Sequence, residues 1–387
     1  MAESNQAEIA NRLLHYPSLD GVRGAAAFLV LIFHSSAVLQ SGPASDRVNR
    51  ALTLSVSGFG DIAVAIFFAL SGFLLFNEFV TDVIHCTGRK PTRSYLSRRF
   101  LRIYPAYWAA LTAGELLIGP LVGGRFGLFT LTGRYFDSSH IFIGLAVAWT
   151  LSVEVAFYVF LPLFSAMLRV VAQRFRNLQI RVAVVALACF GLLVVPRLYS
   201  RFVTSHRPLD FRFVTSLFDY LDWFAVGMFL SLIVAVRRLG WISMSSRFRL
   251  ATSRVLCWPI AAALYVWPTL MVGYDGSSGS SLISSTKDAH VLFGLSAFFV
   301  LVPVTIGEMA TMRVGVFASR VMVSVGVVSY GFYLWHDTFL KYYLSHFSNG
   351  TGVAPFLLVI AALTPLSLFV GWLSYRLIER PAMKLSW

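Results

Sequence analysis

The chain has 387 residues, of which 57% are hydrophobic and 13% charged, with a formal net charge of +14 and a mean hydropathy of +0.72. Soluble domains carry roughly twice that share of charge, so the composition excludes a soluble globular protein and points to an all-α, polytopic integral membrane protein. The basic residues are spread over loops between apolar runs, which excludes a nucleic-acid-binding domain, and the scattered Cys86, Cys189 and Cys257 give neither a disulfide framework nor a thiolate metal site.

A membrane span needs about 20 mostly apolar residues. About ten transmembrane helices are expected, at 21–40, 60–80, 100–119, 141–166, 182–198, 218–236, 255–273, 290–309, 321–343 and 353–376. Residues 1–18 are expected to form a cytoplasmic N-terminal segment with no cleavable signal peptide, 19–380 the transmembrane domain and 381–387 a short cytoplasmic tail. With the N-terminus inside, the cytoplasmic loops hold most of the Lys and Arg, notably at 89–102, 169–181 and 237–254. An even number of spans places both termini in the cytoplasm. The spacers near 197–217 and 274–289 read as loops, and Asn349-Gly350-Thr351 as an incidental glycosylation triplet.

The first span carries Leu19-Asp20-Gly21-Val22-Arg23-Gly24 and, eleven positions after the arginine, His34. Eleven helical steps of about 100° and 1.5 Å return the second side chain to nearly the same face, roughly 16 Å further along. Ionisable groups inside a membrane are costly and mark candidate functional sites. His34 reads either as a structural hydrogen-bond partner or as a base able to take a proton near neutral pH.

The second span holds Phe67-Phe68-Ala69-Leu70-Ser71-Gly72-Phe73. Ser71-Gly72 reads as a close-packing or kink site, since a nucleophilic serine needs an adjacent base. Arg98, Arg99 and Arg102 open the third span, followed by Pro105. The spacing of three or four residues puts Arg98 or Arg99 on one face with Arg102. They are either topological anchors or a phosphate clamp for a phosphate-rich carrier such as coenzyme A, because guanidinium forks grip phosphate bidentately.

The fourth span contains Trp149-Thr150-Leu151-Ser152-Val153-Glu154-Val155-Ala156-Phe157-Tyr158. A carboxylate at this depth must be protonated, paired or beside a water-filled cavity. Ser152 and Tyr158 are candidates to fix Glu154 or to hold an acceptor hydroxyl. The ninth span carries Ser329-Tyr330-Gly331-Phe332-Tyr333-Leu334-Trp335-His336-Asp337. Adjacent helical residues diverge by about 100°, so Asp337 does not orient His336, and Tyr333 and His336 are assigned to acceptor binding or support. No histidine pair has zinc-motif spacing and there is no phosphate-binding glycine loop, so no metal and no bound cofactor are expected.

Taken in order, these segments, with Tyr333-Leu334-Trp335-His336 and Glu379-Arg380-Pro381, resemble the membrane acyltransferase 3 family, which includes bacterial O-antigen and other glycan O-acyltransferases. The resemblance covers nearly the whole chain. It implies ten helices in a bacterial plasma membrane, acyl-CoA as a cytoplasmic co-substrate, and transfer of an acyl group, acetyl or another short one, to a hydroxyl of a glycan, glycolipid, polysaccharide or other glycosylated acceptor. It also implies that Arg23 and His34 are required for activity and that Arg99 and Arg102 serve the donor. Some relatives carry a further extracellular hydrolase-like domain. This chain is expected to act without one, or with a separate partner completing transfer outside. The alternative is a multi-pass transporter or flippase for a glycan or lipid-linked sugar, for which intramembrane His, Glu and Arg are equally suited, though no inverted repeat is seen.

Overall fold

A computed structural model describes residues 17–40, 47–87, 92–119, 125–136, 144–206, 215–271, 287–307, 310, 315–347 and 351–385. The expected 274–289 loop and the Asn349-Gly350-Thr351 triplet lie largely outside them, as does most of the N-terminal segment. The described residues are helical and contain no strand. The principal helices are α1 (Pro17–Ser35), α2 (Phe59–Phe76), α3 (Thr92–Ile118), α4 (Ala148–Ala172), α5 (Leu178–His206), α6 (Leu217–Arg238), α7 (Arg254–Met271), α8 (Lys287–Thr305), α9 (Arg320–Val327), α10 (Ser329–Phe347) and α11 (Val353–Ser374).

Among the described residues, seven helical stretches are long and apolar enough to cross a membrane. They are Pro17–Leu39, Val48–Phe76, Ala148–Ala172, Leu178–Val203, Leu217–Arg238, Ser246–Thr269 and Val353–Lys384, and Ala289–Thr305 is a shorter apolar helix. The expected spans at 100–119 and 321–343 are helical but fall outside this set. The first begins with Arg98, Arg99 and Arg102, and the second breaks at Val328 into α9 and α10, so neither is a long, uninterrupted apolar run.

Two expected boundaries move. The fifth span does not give way to a loop at 197, because α5 runs on through His206 and carries Arg197 and Arg201 within it. The apolar pattern continues past Pro196 with Leu198, Phe202 and Val203, the last buried and the first two exposed, which sustains the helix. The fourth span begins at Ala148 rather than 141, after a turn at Gly144–Val147.

Helix α6 is buried along most of its length and forms the axis of the bundle. Its approach to α2 is set by two glycines. A Cβ on Gly72 would lie 2.1 Å from the Phe224 carbonyl oxygen, and one on Gly227 would lie 1.8 Å from that of Ala69. Small residues of this kind let helix backbones meet in a membrane, and the close-packing reading of Ser71-Gly72 accords with this geometry. Phe224 stacks on Phe68 of α2 and on Phe157 of α4, with ring centroids 4.5 and 4.0 Å apart. These contacts hold α4 against the α2–α6 pair and so place Glu154 beside Ser71. On the other side, α10 packs against α1, α3 and α11, and Tyr330 donates to the Ile103 carbonyl at 2.7 Å. Helices α5 and α11 are outer elements whose apolar side chains, such as Leu187, Phe190, Leu358 and Phe369, are exposed, as expected where lipid supplies the cover.

Candidate active site

A cavity of about 90 Å³ opens among α1, α2, α3, α4 and α10. Arg23, Arg99 and Arg102 line it together with Ser71, Glu154 and Tyr158, and Thr150 and Tyr333 line it too. Three arginines from two helices thus converge on a space walled elsewhere by Phe67, Phe68, Leu70 and Leu74.

The arginines are not equivalent. Arg23 pairs with Asp20 one turn earlier at 2.9 Å. Arg99 pairs with Glu78 at 2.5 Å, and Arg98 reaches the same carboxylate at 3.4 Å while bonding Ser94 at 2.9 Å. Arg98 is the most exposed of these and does not line the cavity. Arg102 lines it and forms no hydrogen bond or ion pair among the described residues. It lies within electrostatic reach of Arg23, Tyr158 and Glu379. Glu379 is buried at the end of a π-helical turn, Tyr375–Glu379, where the Ser374 hydroxyl donates to it at 3.3 Å. Such turns re-aim side chains and recur at functional sites.

Glu154 is held from two helices. Ser71 Oγ donates to its Oε1 at 2.7 Å and Tyr158 OH to the same oxygen at 2.8 Å. Ser152 faces elsewhere, buried, with its hydroxyl on the Ala148 carbonyl at 3.2 Å.

The cavity ends at Thr150 and Tyr333. Their hydroxyls are 2.6 Å apart, and both reach the Val147 carbonyl, Thr150 at 2.9 Å and Tyr333 at 3.1 Å. The turn bearing that carbonyl is clamped to α10: Asp337 accepts from the Ala146 amide at 2.8 Å and from Lys341 at 3.1 Å, and Lys341 also donates to the Gly144 carbonyl.

Beyond Tyr333, outside the cavity lining, lie His336 and His34. The Tyr333 and His336 rings are 5.8 Å apart, and His336 Nε2 is 3.2 Å from His34 Nδ1. His34 Nδ1 is also 3.0 Å from the Val30 carbonyl. A carbonyl only accepts, so this bond assigns the proton to Nδ1 of His34. Nε2 of His336 is then the second acceptor, and Nε2 of His34 carries a lone pair with no partner among the described residues. His336 is fully buried, whereas His34 is half-buried. His336 and Asp337 point in different directions, as adjacent positions on a helix require.

The structure therefore brings Arg23, Arg99, Arg102, Ser71, Glu154, Tyr158 and Tyr333 to one cavity, and His34 and His336 to each other behind its end wall. It leaves Arg98 and Ser152 outside both groups. Sequence reasoning did not find Glu78, Thr150, Glu379 or the Asp337–Lys341 clamp. Glu78 lies 21 positions from Arg99 and the clamp joins residues nearly 200 positions apart, so no local spacing signals either. Glu379 stood in a noted motif but had no visible partner there. Among the described residues no group of His, Cys, Asp and Glu has the arrangement of a metal site.

A helical membrane bundle with a cationic cavity leading toward a histidine pair is the setting in which the comparisons with known proteins fall. A family profile described as an acyltransferase domain matches residues 16–376, and the chain belongs to this acyltransferase 3 family. It is 26% identical over 406 residues to acyltransferase MdmB of Streptomyces mycarofaciens, covering 97% of this chain and 93% of that protein. It is 22% identical over 401 residues to O-acetyltransferase OatA of Staphylococcus aureus (strain NCTC 8325 / PS 47), covering 96% of this chain and spanning 57% of that protein. No solved structure matches the chain. The protein is a multi-pass membrane acyltransferase.

Proposed function

We propose that this chain, embedded in a bacterial plasma membrane with both termini in the cytoplasm, transfers a short acyl group, acetyl foremost, from acyl-CoA to a hydroxyl of a sugar, glycolipid, polysaccharide or other glycosylated acceptor. The names of both relatives support acyl transfer, and that of OatA supports transfer of acetyl to oxygen. The basic loops at the arginine end support its cytoplasmic placement, and the broken helix α9–α10 and the arginine-led α3 count as spans on this reading.

The observation that carries the proposal is the line from Arg102, a cavity-facing guanidinium with no hydrogen bond or ion pair among the described residues, past Glu154 and Tyr333 to the open Nε2 of His34. An unpaired cation beside a membrane invites an anion. Arg102, with Arg99 and Arg23, takes the donor's phosphates at the mouth. The cavity is far smaller than the several hundred Å³ of a site enclosing a whole drug-sized ligand, so it suits the thin thioester arm and leaves the nucleotide outside. The roughly 16 Å between the levels of Arg23 and His34 along the helix is the length the arm must bridge. Tyr333 acts as the door between the two compartments: its bond to Thr150 opens when the thioester passes toward the histidines.

His34 Nε2 then removes the acceptor's hydroxyl proton, and the oxygen attacks the thioester carbonyl. The tetrahedral intermediate collapses, the C–S bond breaks, and coenzyme A leaves as a thiolate that recovers the proton from His34. Thiols ionise with a pKa of about 8–9, so the leaving group needs little acid assistance. His336 supports the base rather than touching substrate. When His34 is protonated on Nε2, its Nδ1–H still has both acceptors, the Val30 carbonyl and His336 Nε2, and both bonds become charge-assisted. Glu154 orients the donor arm or the acceptor through the hydroxyls gathered on it.

The test is a reconstituted assay. Proteoliposomes supplied with acetyl-labelled coenzyme A and a glycosylated acceptor should form an alkali-labile labelled ester, with one free thiol released per ester. Label that stays on coenzyme A while the acceptor crosses the bilayer would make the protein a transporter and overturn the reading.

A further inference from the structure

A second cavity, of about 220 Å³, lies apart from the site above. It sits between the short helix Val80–His85, with the turn that precedes it, and the last turns of α4. Phe79, Val83 and Val170 give it apolar walls, and Asp82, Ser165 and Arg169 also line it.

Three features set it apart from an accidental crevice. Ser165 is 4% exposed, yet its hydroxyl has no hydrogen-bond partner among the described residues. Arg169 has a buried Nε without a partner and forms no ion pair among the described residues. Asp82, on the opposite wall, accepts from Thr87 at 3.0 Å and does not pair with Arg169. An anion and a cation thus line one space without meeting, and buried polar groups left in this state are costly unless a ligand satisfies them.

Position identifies the source of that ligand. Arg169 stands in the last turn of an apolar 25-residue helix. Val170 lines the cavity and is also 58% exposed, on an outer surface shared with Leu163 and Met167. In a bilayer that surface faces acyl chains, so the cavity opens onto lipid at the level of the headgroups.

We propose that it binds the headgroup of an amine-bearing zwitterionic phospholipid of the phosphatidylethanolamine type. The phosphate meets Arg169 and the Ser165 hydroxyl, the primary ammonium meets Asp82, and the first methylenes lie on Phe79, Val83 and Val170. A purely anionic lipid brings its charge into a space shared with Asp82. A quaternary amine brings a positive charge but no N–H donor for the carboxylate. Only separated charges of both signs, the positive one bearing donors, satisfy the two walls together. The inference is independent of the acyl-transfer reading.

The experiment uses the full chain, purified in detergent and exposed to an equimolar mixture of phosphatidylethanolamine, phosphatidylglycerol and phosphatidylcholine, with retained lipid measured by native mass spectrometry. Phosphatidylethanolamine should be retained over each of the others by about tenfold, which corresponds to 1.4 kcal/mol. Asp82→Asn should remove the preference for the primary amine, and Arg169→Gln should lower retention of all three. If Asp82→Asn does not fold, Val170→Trp, at the exposed rim, should close the mouth and lose the retained lipid. Preferential retention of phosphatidylglycerol by the native chain would overturn the proposal, as would an unchanged preference in Asp82→Asn or Val170→Trp. Equal displacement by soluble glycerophosphoethanolamine would show a site for the free headgroup and overturn the lipid assignment.

Discussion

The two ends of the candidate active site hold their polar groups in opposite ways. At the arginine end, charge is balanced by charge: Arg23 on Asp20, Arg99 on Glu78, with Arg102 left over and facing the cavity. At the histidine end, two rings are held by a backbone carbonyl and by each other. Surplus fixed charge suits an anionic ligand that must be gripped and released. A histidine with one nitrogen tied down and the other open suits a proton that must move. The Thr150–Tyr333 contact stands between them, so the division of labour has a physical boundary.

The sharpest way to break this comparison is at His34. His34→Ala should reduce acyl transfer by about 10²- to 10⁴-fold, the usual range for a general base. Binding of acyl-CoA, measured by calorimetry on the purified variant, should stay within about twofold. A variant that loses donor binding as well would put His34 on the arginine side of the boundary and dissolve the distinction.

Arg102→Ala tests the other end and should have the next largest effect. A hydrogen bond to a charged group is worth about 1.5–3 kcal/mol, so the KM for acyl-CoA should rise by about tenfold to a hundredfold with kcat little changed. Arg98→Ala provides the contrast, because Arg98 is exposed and outside the cavity. Its KM should move by less than about twofold. Equal effects from the two would return the whole cluster to topological anchoring.

This contrast marks what the sequence made legible. The apolar runs disclosed an all-helical membrane bundle, because a span must satisfy its own backbone and announces itself by composition. The Arg23–His34 pair was visible because both lie on one helix with a known pitch. Partnerships across helices were not. Nothing around Arg98, Arg99 and Arg102 tells that Glu78 pairs with the first two, while the third forms no ion pair among the described residues. Nothing around His336 tells that its partner is a histidine 302 positions away rather than the adjacent aspartate. The length of α5 was misjudged for a related reason. Arg197 and Arg201 looked like loop residues because charge was read as an end signal, while Leu198, Phe202 and Val203 kept the helical stripe going.

A smaller effect is expected at His336, whose part is to receive the Nδ1 proton of His34. His336→Leu removes that acceptor and should lower kcat by about tenfold, the equivalent of one net hydrogen bond of about 1.4 kcal/mol. KM for acyl-CoA should not change. His336→Gln presents an amide oxygen in place of the ring nitrogen and should recover most of the loss. A purely structural role would give the two variants similar deficits, so rescue by glutamine is the deciding readout.

The smallest change is expected from the boundary itself. Tyr333→Phe keeps the ring, which packs edge-on against Phe67 with centroids 5.8 Å apart, and removes only the hydroxyl that joins Thr150 and Val147. Thr150 retains its own bond to the Val147 carbonyl, so no buried group is stranded and stability should change by about 1 kcal/mol or less. If the hydroxyl latches the door between donor and base, the loosened wall should let transfer proceed at a similar rate while relaxing selection among acyl chains. The ratio of kcat/KM for butanoyl- to acetyl-CoA should rise by up to about fifteenfold, because two more methylenes are then admitted at about 0.8 kcal/mol each. The measurement is competition between the two donors in a single assay. An unchanged ratio with full activity would mean that the thioester reaches His34 without passing Tyr333, and the boundary would then lie elsewhere along α10.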